Sequence, residues 1–222
     1  MTDSFSRRIQ AIGCLDDPVR RRIYETVSAH PEGIGRAALA EELGLARSTA
    51  AFHLERLADE GLVEAASRRL TDRTGPGAGR PAKLYRRGST ETSVSVPDRR
   101  YDLAADLMAR AIERTADSGG DVHAALDAVA HDAGVGRGAE AGSLVATLEQ
   151  TGYEPMDDGA GGFILRNCPF HRLAREHTST VCALNVAFLT GARDGSRDAD
   201  LGIAPAEAGG PCCARIVREP RR

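Results

Sequence analysis

The chain has 222 residues, of which 41% are hydrophobic and 27% are charged, and its formal net charge at pH 7 is −3. This composition is typical of a globular protein and excludes a chain that is disordered throughout. No run of about 18 apolar residues occurs, and the first ten residues are polar, so the sequence predicts neither a membrane-spanning helix nor a secretory signal. The length fits two domains of about 100 residues each, and we expect a cytoplasmic protein.

Basic residues and cysteines are both unevenly distributed. Between residues 64 and 87, seven Lys and Arg residues stand against two acidic ones. Cys14 stands alone near the start of the chain. The other four cysteines fall in the last quarter: Cys168, Cys182, Cys212 and Cys213. Without a secretion signal, clustered cysteines are more typical of metal or redox ligands than of disulfides.

Three helices are predicted in the first sixty residues. The first begins after Asp17, a suitable N-cap followed by proline, and ends before the segment 30–33. The second covers residues 36–43 and the third residues 46–60, each with leucines on one face. The turn at Gly44 between these two helices predicts a helix-turn-helix.

Two strands with a long glycine-rich loop between them follow the third helix. They are predicted over residues 62–71 and 80–86, within the basic cluster. Three helices followed by a basic β-hairpin predict a winged helix.

The same residues carry a family resemblance. The stretch from Leu43 to Leu57, with Gly61-Leu62-Val63 after it, resembles an ArsR-type winged helix-turn-helix. The hairpin Gly79–Tyr85 resembles the wing of SufR-like regulators within that superfamily. This resemblance implies a regulator that binds double-stranded DNA.

In a helix-turn-helix protein the second helix of the motif lies in the major groove, so its outward face meets base edges. With Ala50, Leu54 and Leu57 turned inward, Arg47 could bind a guanine and Phe52 could touch a thymine methyl. The alternative for Arg47 is a solvated surface arginine, and His53 is interpreted as a packing residue. The predicted DNA-binding residues are Arg47, Ser48, Thr49, Ala51, Phe52, Arg56, Arg80 and Lys83.

The middle of the chain is predicted to contain a linker or edge strand over residues 87–100 and two helices, 101–116 and 121–133. A glycine-rich loop is predicted over 135–142. The first of these helices has one apolar stripe, which either packs on its own core or pairs with its copy in a homodimer. We favour the homodimer, because winged-helix regulators usually bind two half-sites. The stripe consists of Leu103, Leu107, Ala111 and Thr115.

The last eighty residues predict an α+β domain. The predicted elements are a helix over 143–150, a hairpin of strands at 152–155 and 162–166, a helix from Pro169 to His177, a helix containing 181–189, a polar loop over 191–210 and a strand over 211–217.

The cysteine spacing favours an iron–sulfur centre over zinc. The pattern Cys-x13-Cys-x29-Cys-Cys lacks the close pairs of zinc ribbons, whereas wide spacing with a Cys-Pro dipeptide suits a cluster held by thiolates. At a helix start, Cys168 should have a lowered pKa. Cys212 and Cys213, on a strand, should point to opposite faces, so that only one reaches the centre easily. The fourth ligand is then the other cysteine, His171 or His177.

This segment resembles the C-terminal cluster domain of SufR-like repressors. The resemblance rests on Asn167-Cys168-Pro169, a helix-borne cysteine about a dozen residues later, and a late cysteine on a strand. It implies a sensor of iron–sulfur status that represses cluster-assembly genes. The chain departs from that pattern in having no cysteine between Cys182 and Cys212.

Other interpretations of the cysteines stay open. They could be buried as small hydrophobic residues, bind zinc together with His171, or hold haem at Cys168-Pro169. The domain could instead hold a small organic effector. A Cys168–histidine nucleophile pair is also conceivable, but no third orienting residue is recognisable, and we do not expect an enzyme.

The sequence thus predicts an α+β regulator that senses iron–sulfur or redox status, with a zinc- or small-ligand-responsive regulator as the alternative. The predicted domains are a winged helix-turn-helix over residues 1–90, a linker and dimer helix over 91–120, and a cysteine-bearing sensor domain over 121–222.

Overall fold

A computed structural model describes residues 4–68, 82–198, 200–207 and 209–219 of the chain. It divides into two compact units, Met1–Val94 and Ser95–Arg222, each with its own hydrophobic core. Both units combine helices with antiparallel sheet, which confirms the predicted α+β class. Among the residues described, no helix is both long and apolar enough to cross a membrane.

Within its described residues, the first unit is a bundle of four helices beside a small sheet. Its strands have the order β1-β3-β2, and β3 pairs antiparallel with both neighbours. The elements are α1 (Ser4–Cys14), α2 (Pro18–Ser28), β1 (Ile34–Gly35), α3 (Arg36–Leu43), α4 (Arg47–Asp59), β2 (Val63–Arg68) and β3 (Ala82–Arg87).

Local signals explain where the helices of this unit begin and end. The side chain of Asp17 caps α2 by accepting a hydrogen bond of 2.8 Å from the backbone N–H of Arg20. Gly44 ends α3 in the left-handed conformation, with φ of 65°, which glycine adopts at little cost. The three predicted helices and the β-hairpin are confirmed. Residues 69–81, the loop between the two strands, lie outside the part that the structure describes.

Sequence patterning did not predict α1 and β1. Helix α1 buries Ala11 and Cys14 but leaves Ile9 and Ile12 more than 40% exposed, so its apolar residues do not form one inward stripe. Strand β1 has two residues, too few for an alternating pattern to be recognised.

In the part of the second unit that the structure describes, five helices pack with a four-stranded antiparallel sheet of order β4-β5-β7-β6. Its core includes Leu107, Leu144, Phe170, Leu184 and Phe188, all fully buried. The elements are α5 (Tyr101–Ser118), α6 (Val122–Ala141), α7 (Leu144–Gln150), β4 (Pro155–Asp157), β5 (Phe163–Leu165), α8 (His171–Glu176), α9 (Thr178–Gly195), β6 (Leu201–Pro205) and β7 (Ala214–Arg218).

The prediction of a loop over residues 135–142 is wrong, because α6 continues through Ala141. The glycines of this stretch let two helices approach closely. A Cβ atom on Gly138 would lie 2.2 Å from the carbonyl oxygen of Ala192 in α9, and one on Gly191 would lie 2.0 Å from the carbonyl oxygen of His131 in α6. The prediction of a loop over residues 191–210 is also wrong. Helix α9 continues through Gly195, and strand β6 covers Leu201–Pro205.

The apolar stripe of α5 lies inside the second unit. Three residues of the stripe are at most 3% exposed and belong to the core of this unit: Leu103, Leu107 and Ala111. Of the two interpretations of the stripe, this face of the helix therefore follows the one in which it packs on the core of its own chain. Ile112 lies outside the stripe and is 60% exposed. The homodimer stays a prediction. Residues 88–100 contain no strand, so the segment before α5 is a linker and not an edge strand.

Candidate DNA-binding surface and cysteine site

Four cysteines from three separate segments line one pocket of about 380 Å³ in the second unit. Cys168 lies in the turn before α8 and Cys182 lies in α9, while Cys212 and Cys213 lie in a bend before β7. Cys168 and Cys212 are buried, Cys182 and Cys213 are half-buried, and all are free thiols. The fold therefore brings together the four residues that the sequence predicts as ligands.

Both neighbouring cysteines reach this pocket, which corrects the prediction that they point to opposite faces. Strand β7 begins at Ala214, so Cys212 and Cys213 precede it and do not follow the alternation of a strand. The amide nitrogen of Asn185 lies 3.6 Å from the sulfur of Cys212 and 3.3 Å from that of Cys213. One side chain of α9 thus donates to two adjacent sulfurs.

The four thiols interact with one another in pairs. Cys182 interacts with Cys213, Cys213 with Cys212, and Cys212 with Cys168.

These interactions affect the acidity of the individual thiols. Hydrogen bonding with Cys212 and with the N–H of Phe170 lowers the pKa of Cys168, against the effect of burial. The lowered pKa agrees with the sequence prediction but has a different cause, since α8 begins only at His171. The interaction with Cys168 raises the pKa of Cys212 to about 11, and burial raises the pKa of Cys182 to about 11. Of the four thiols in the pocket, only Cys168 has a lowered pKa, which favours its thiolate form.

A buried polar pair fixes the orientation of the Asn185 amide. The hydroxyl of Tyr153 donates to Oδ1 of Asn185 at 2.5 Å, and both residues are at most 2% exposed. Because Oδ1 already accepts this bond, the NH₂ group must point at the sulfurs. An amide donor directed at two sulfurs favours them as anions, as they are when they bind a metal.

The histidines differ in their relation to the pocket. His171, at the start of α8, lines it, whereas His177, between α8 and α9, is exposed and does not. Across the described ranges, no three His, Cys, Asp or Glu side chains are already arranged around a point where a metal ion could sit. Holding a metal centre in the pocket would therefore require the cysteine side chains to change rotamer.

The donor set fits an iron–sulfur centre by its chemistry. Thiolates are the usual ligands of such clusters, and hydrogen bonds to the sulfurs tune their reduction potential. Here four thiols and one amide donor converge on the same pocket.

The candidate DNA-binding surface is the exposed face of α4. Ala50, His53, Leu54 and Leu57 are buried, as predicted, and His53 packs in the core at 8% exposure. On the opposite face Phe52 is 58% exposed and makes an edge contact with the His53 ring, with centroids 5.3 Å apart. The other predicted contacts on this helix are exposed or half-exposed: Arg47, Ser48, Thr49, Ala51 and Arg56.

The predicted wing contacts are placed in part. Lys83 is exposed on β3, and its ammonium group lies 5.2 Å from the centre of the Tyr85 ring. Arg80 lies outside the described residues. Arg56 lies 3.9 Å from Glu60 across one helical turn, a distance at which a surface ion pair is weak.

Comparison with known proteins agrees with this arrangement of α3, turn and α4. Residues 15–65 match the family model described as a helix-turn-helix domain. Residues 15–65 are a helix-turn-helix domain. The HTH-type transcriptional regulator Rv1719 of Mycobacterium tuberculosis is 39% identical to this chain over 66 residues, which are 30% of this chain and 26% of that protein. The chain thus covers about a quarter of the length of this relative.

No solved structure gave a significant match to the chain. The family match assigns a helix-turn-helix domain to residues 15–65, and the relative is itself described as a helix-turn-helix transcriptional regulator. The helix-turn-helix domain contains the candidate DNA-binding helix α4 but not the cysteine pocket.

Sequence reasoning missed Asn185 and Tyr153 as part of the cysteine site. In the sequence, Asn185 is the single polar residue of the otherwise apolar stretch 181–189, and nothing nearby marks it as a donor to sulfur. A polar residue inside such a stretch is the signal that could have raised the question, since a buried amide needs partners, and the structure buries Asn185 at 1% exposure.

Proposed function

We propose that the chain is a repressor that binds double-stranded DNA as a homodimer and holds an iron–sulfur centre in its second unit. The observation that carries the proposal is the convergence of four thiols from three separate segments on one pocket. Cysteines buried only as small hydrophobic residues have no reason to converge in this way. The ligands would be Cys168, Cys182, Cys212 and Cys213.

Two features favour an iron–sulfur centre over zinc. All four donors that converge are sulfur, the usual ligands of such clusters, and their wide spacing lacks the close Cys-x-x-Cys pairs typical of zinc sites. A zinc site made by Cys168, His171, Cys182 and Cys212 remains the second candidate, because His171 also lines the pocket. When bound, an iron–sulfur centre supplies a group that is gained, lost or oxidised with the iron and redox status of the cell.

The first unit supplies the DNA contacts. Its exposed α4 face would enter the major groove, with Arg47 at base edges and Ser48 and Thr49 at phosphates. Lys83 on β3 would add a phosphate contact. A palindromic operator would take two copies of the chain, one at each half-site.

The second unit would act through the positions of three chain segments. A centre bound to the pocket ties the turn before α8, the helix α9 and the bend before β7 to one another. A ligand shifts a conformational equilibrium by its difference in affinity for the two states. Binding of the centre would therefore favour one arrangement of these segments, and the DNA affinity would follow it.

Operator affinity measured with loaded and with metal-free protein tests this function. A duplex selected from a random library by the wild-type protein serves as the probe, and fluorescence anisotropy under anaerobic conditions gives the Kd. We expect the two forms to differ by about 5- to 150-fold, which is the usual range of coupling between two sites.

A cysteine outside the pocket provides the matched control, which separates the effect of the bound centre on operator affinity from the effect of iron in solution. Cys14 belongs to the first unit and is not among the residues that line the pocket, so the Cys14→Ser variant should keep the wild-type difference between loaded and metal-free protein. Equal affinity of loaded and metal-free wild-type protein for the selected duplex would contradict sensing through the pocket.

A further inference from the structure

The turn that carries Cys168 is hydrogen-bonded to the segment just before α5. Arg99 donates from Nη1 to the carbonyl oxygen of Cys168 at 2.7 Å and also to Oδ1 of Asn167. The backbone N–H of Arg100 donates to the carbonyl oxygen of Pro169 at 3.1 Å. Three consecutive residues of the turn thus accept bonds from two consecutive residues of the segment.

Asn167 reinforces the same connection from the other side. Its amide donates to the carbonyl oxygens of Asp98 at 2.8 Å and of Gly152 at 2.6 Å, and the residue is 4% exposed. Since Oδ1 accepts from Arg99, both ends of the side chain are engaged. A buried amide with this many partners holds its surroundings in one arrangement.

The position of residues 98–100 in the chain gives this connection its meaning. The first unit ends at Val94, so these residues belong to the stretch through which the second unit continues from the DNA-binding unit. A displacement of the Cys168 turn would act directly on this stretch through the hydrogen bonds from Arg99 and Arg100. No motif recognised in the sequence explains why the charged side chain of Arg99 donates a hydrogen bond to the backbone of the turn that carries Cys168.

We propose that Arg99 is the positioning residue that transmits the state of the Cys168 turn to the chain segment leading into the DNA-binding unit. This inference rests on the proposed function, since it needs a centre on Cys168 to change the turn. The side chain of Arg99 donates to the backbone of Cys168 and to the amide oxygen of Asn167, and not to the sulfur. Its carbonyl and amide acceptors move with the turn, and its backbone moves with the segment.

The test is the ratio of operator affinities of loaded and metal-free protein, compared between the wild type and Arg99→Gln. Glutamine also has an NH₂ group, but its side chain is two bonds shorter than that of arginine and is uncharged, so it cannot reach the two acceptors that Nη1 of Arg99 contacts. We expect the ratio in Arg99→Gln to fall to about 1, while iron content and metal-free affinity for the same duplex stay at wild-type values. A merely structural role would change those two values instead.

Arg100→Gln is the matched control. The Arg100 side chain bonds to Asp102 at 2.9 Å and to the carbonyl oxygen of Gln150 at 3.2 Å, not to the Cys168 turn. Its removal also costs one positive charge, but the backbone bond to Pro169 remains. We expect the wild-type ratio in this variant.

The outcomes separate the two proposals. If wild-type protein shows a ratio well above 1 and Arg99→Gln keeps it, the role of Arg99 is contradicted and the proposed function stands. If Arg99→Gln loses iron, Arg99 supports the site itself and does not transmit its state, which also overturns the inference. A wild-type ratio of 1 contradicts the proposed function and this inference together.

Discussion

Arg47 is the residue on which the proposed DNA contact depends most. It is the first residue of α4, its side chain is exposed, and the helix behind it is held by the buried Ala50, Leu54 and Leu57. An arginine forked on a guanine discriminates that base by about 1–3 kcal/mol. The packed helix therefore holds the backbone of Arg47 in place while its side chain is exposed, as a contact with a nucleotide base requires.

Replacing Arg47 by alanine should weaken binding to the selected duplex by about 5- to 150-fold, the equivalent of about 1–3 kcal/mol. Titration of the labelled duplex with metal-free protein at fixed salt gives the Kd. Arg110→Ala is the control, because Arg110 lies on α5 of the second unit in a surface pair with Asp106 at 3.7 Å. Equal losses in the two variants would show a general charge effect and would remove Arg47 from the base contacts.

At this scale the sequence predicted residue types better than their surroundings. The four cysteines and His171 were recognised as ligand candidates because their chemistry is visible in the sequence, and the fold brings them to one pocket. The contact of Asn185 with Cys212 and Cys213 was not predictable. It depends on a bend before β7 that places both sulfurs on the same side, whereas an alternating strand would separate them.

Helices α6 and α9 approach each other through glycines, and α9 carries both Cys182 and Asn185. Backbone oxygen atoms occupy the space where Cβ atoms would stand at Gly134, Gly138, Gly191 and Gly195, at 2.0–2.2 Å. The position of α9, and with it one side of the cysteine pocket, therefore depends on these glycines.

Gly138→Ala should destabilise the protein by about 1–3 kcal/mol, because a methyl group would press on the backbone of α9 and overpacking of this kind costs that much. Gly136→Ala is the control on the same helix. Nothing lies within 4 Å of a Cβ atom there, and alanine favours the helix over glycine by about 1 kcal/mol. Urea unfolding of the full chain measures both. Gly138→Ala unfolding at the same urea concentration as Gly136→Ala would contradict close packing at this crossing.

The element scale also shows where periodicity fails. The helix-turn-helix and the hairpin were predictable because buried leucines recur at helical spacing and Gly44 marks the turn. The end of α6 was not, since a glycine-rich stretch usually predicts a loop when only local preference is considered. The tertiary contact with α9 makes those glycines useful inside a helix, and no local pattern records that contact.

At the scale of the whole molecule, the chain joins a helix-turn-helix domain to a unit that contains the cysteine pocket. The first 94 residues include the exposed face of α4, and the remainder includes the thiols and the bonds from Arg99 to the Cys168 turn. A division of this kind suits a regulator in which one unit reads DNA and the other responds to a signal. The proposed function requires a metal centre in the cysteine pocket.

Iron, acid-labile sulfide and zinc content of freshly and anaerobically purified wild-type protein, with its visible absorption spectrum, test that requirement most directly. We predict a coloured protein with iron and sulfide, both lost in Cys168→Ser and both kept in Cys14→Ser. Colourless wild-type protein, with one zinc ion per chain or with no metal at all after reconstitution with iron and sulfide, would contradict it.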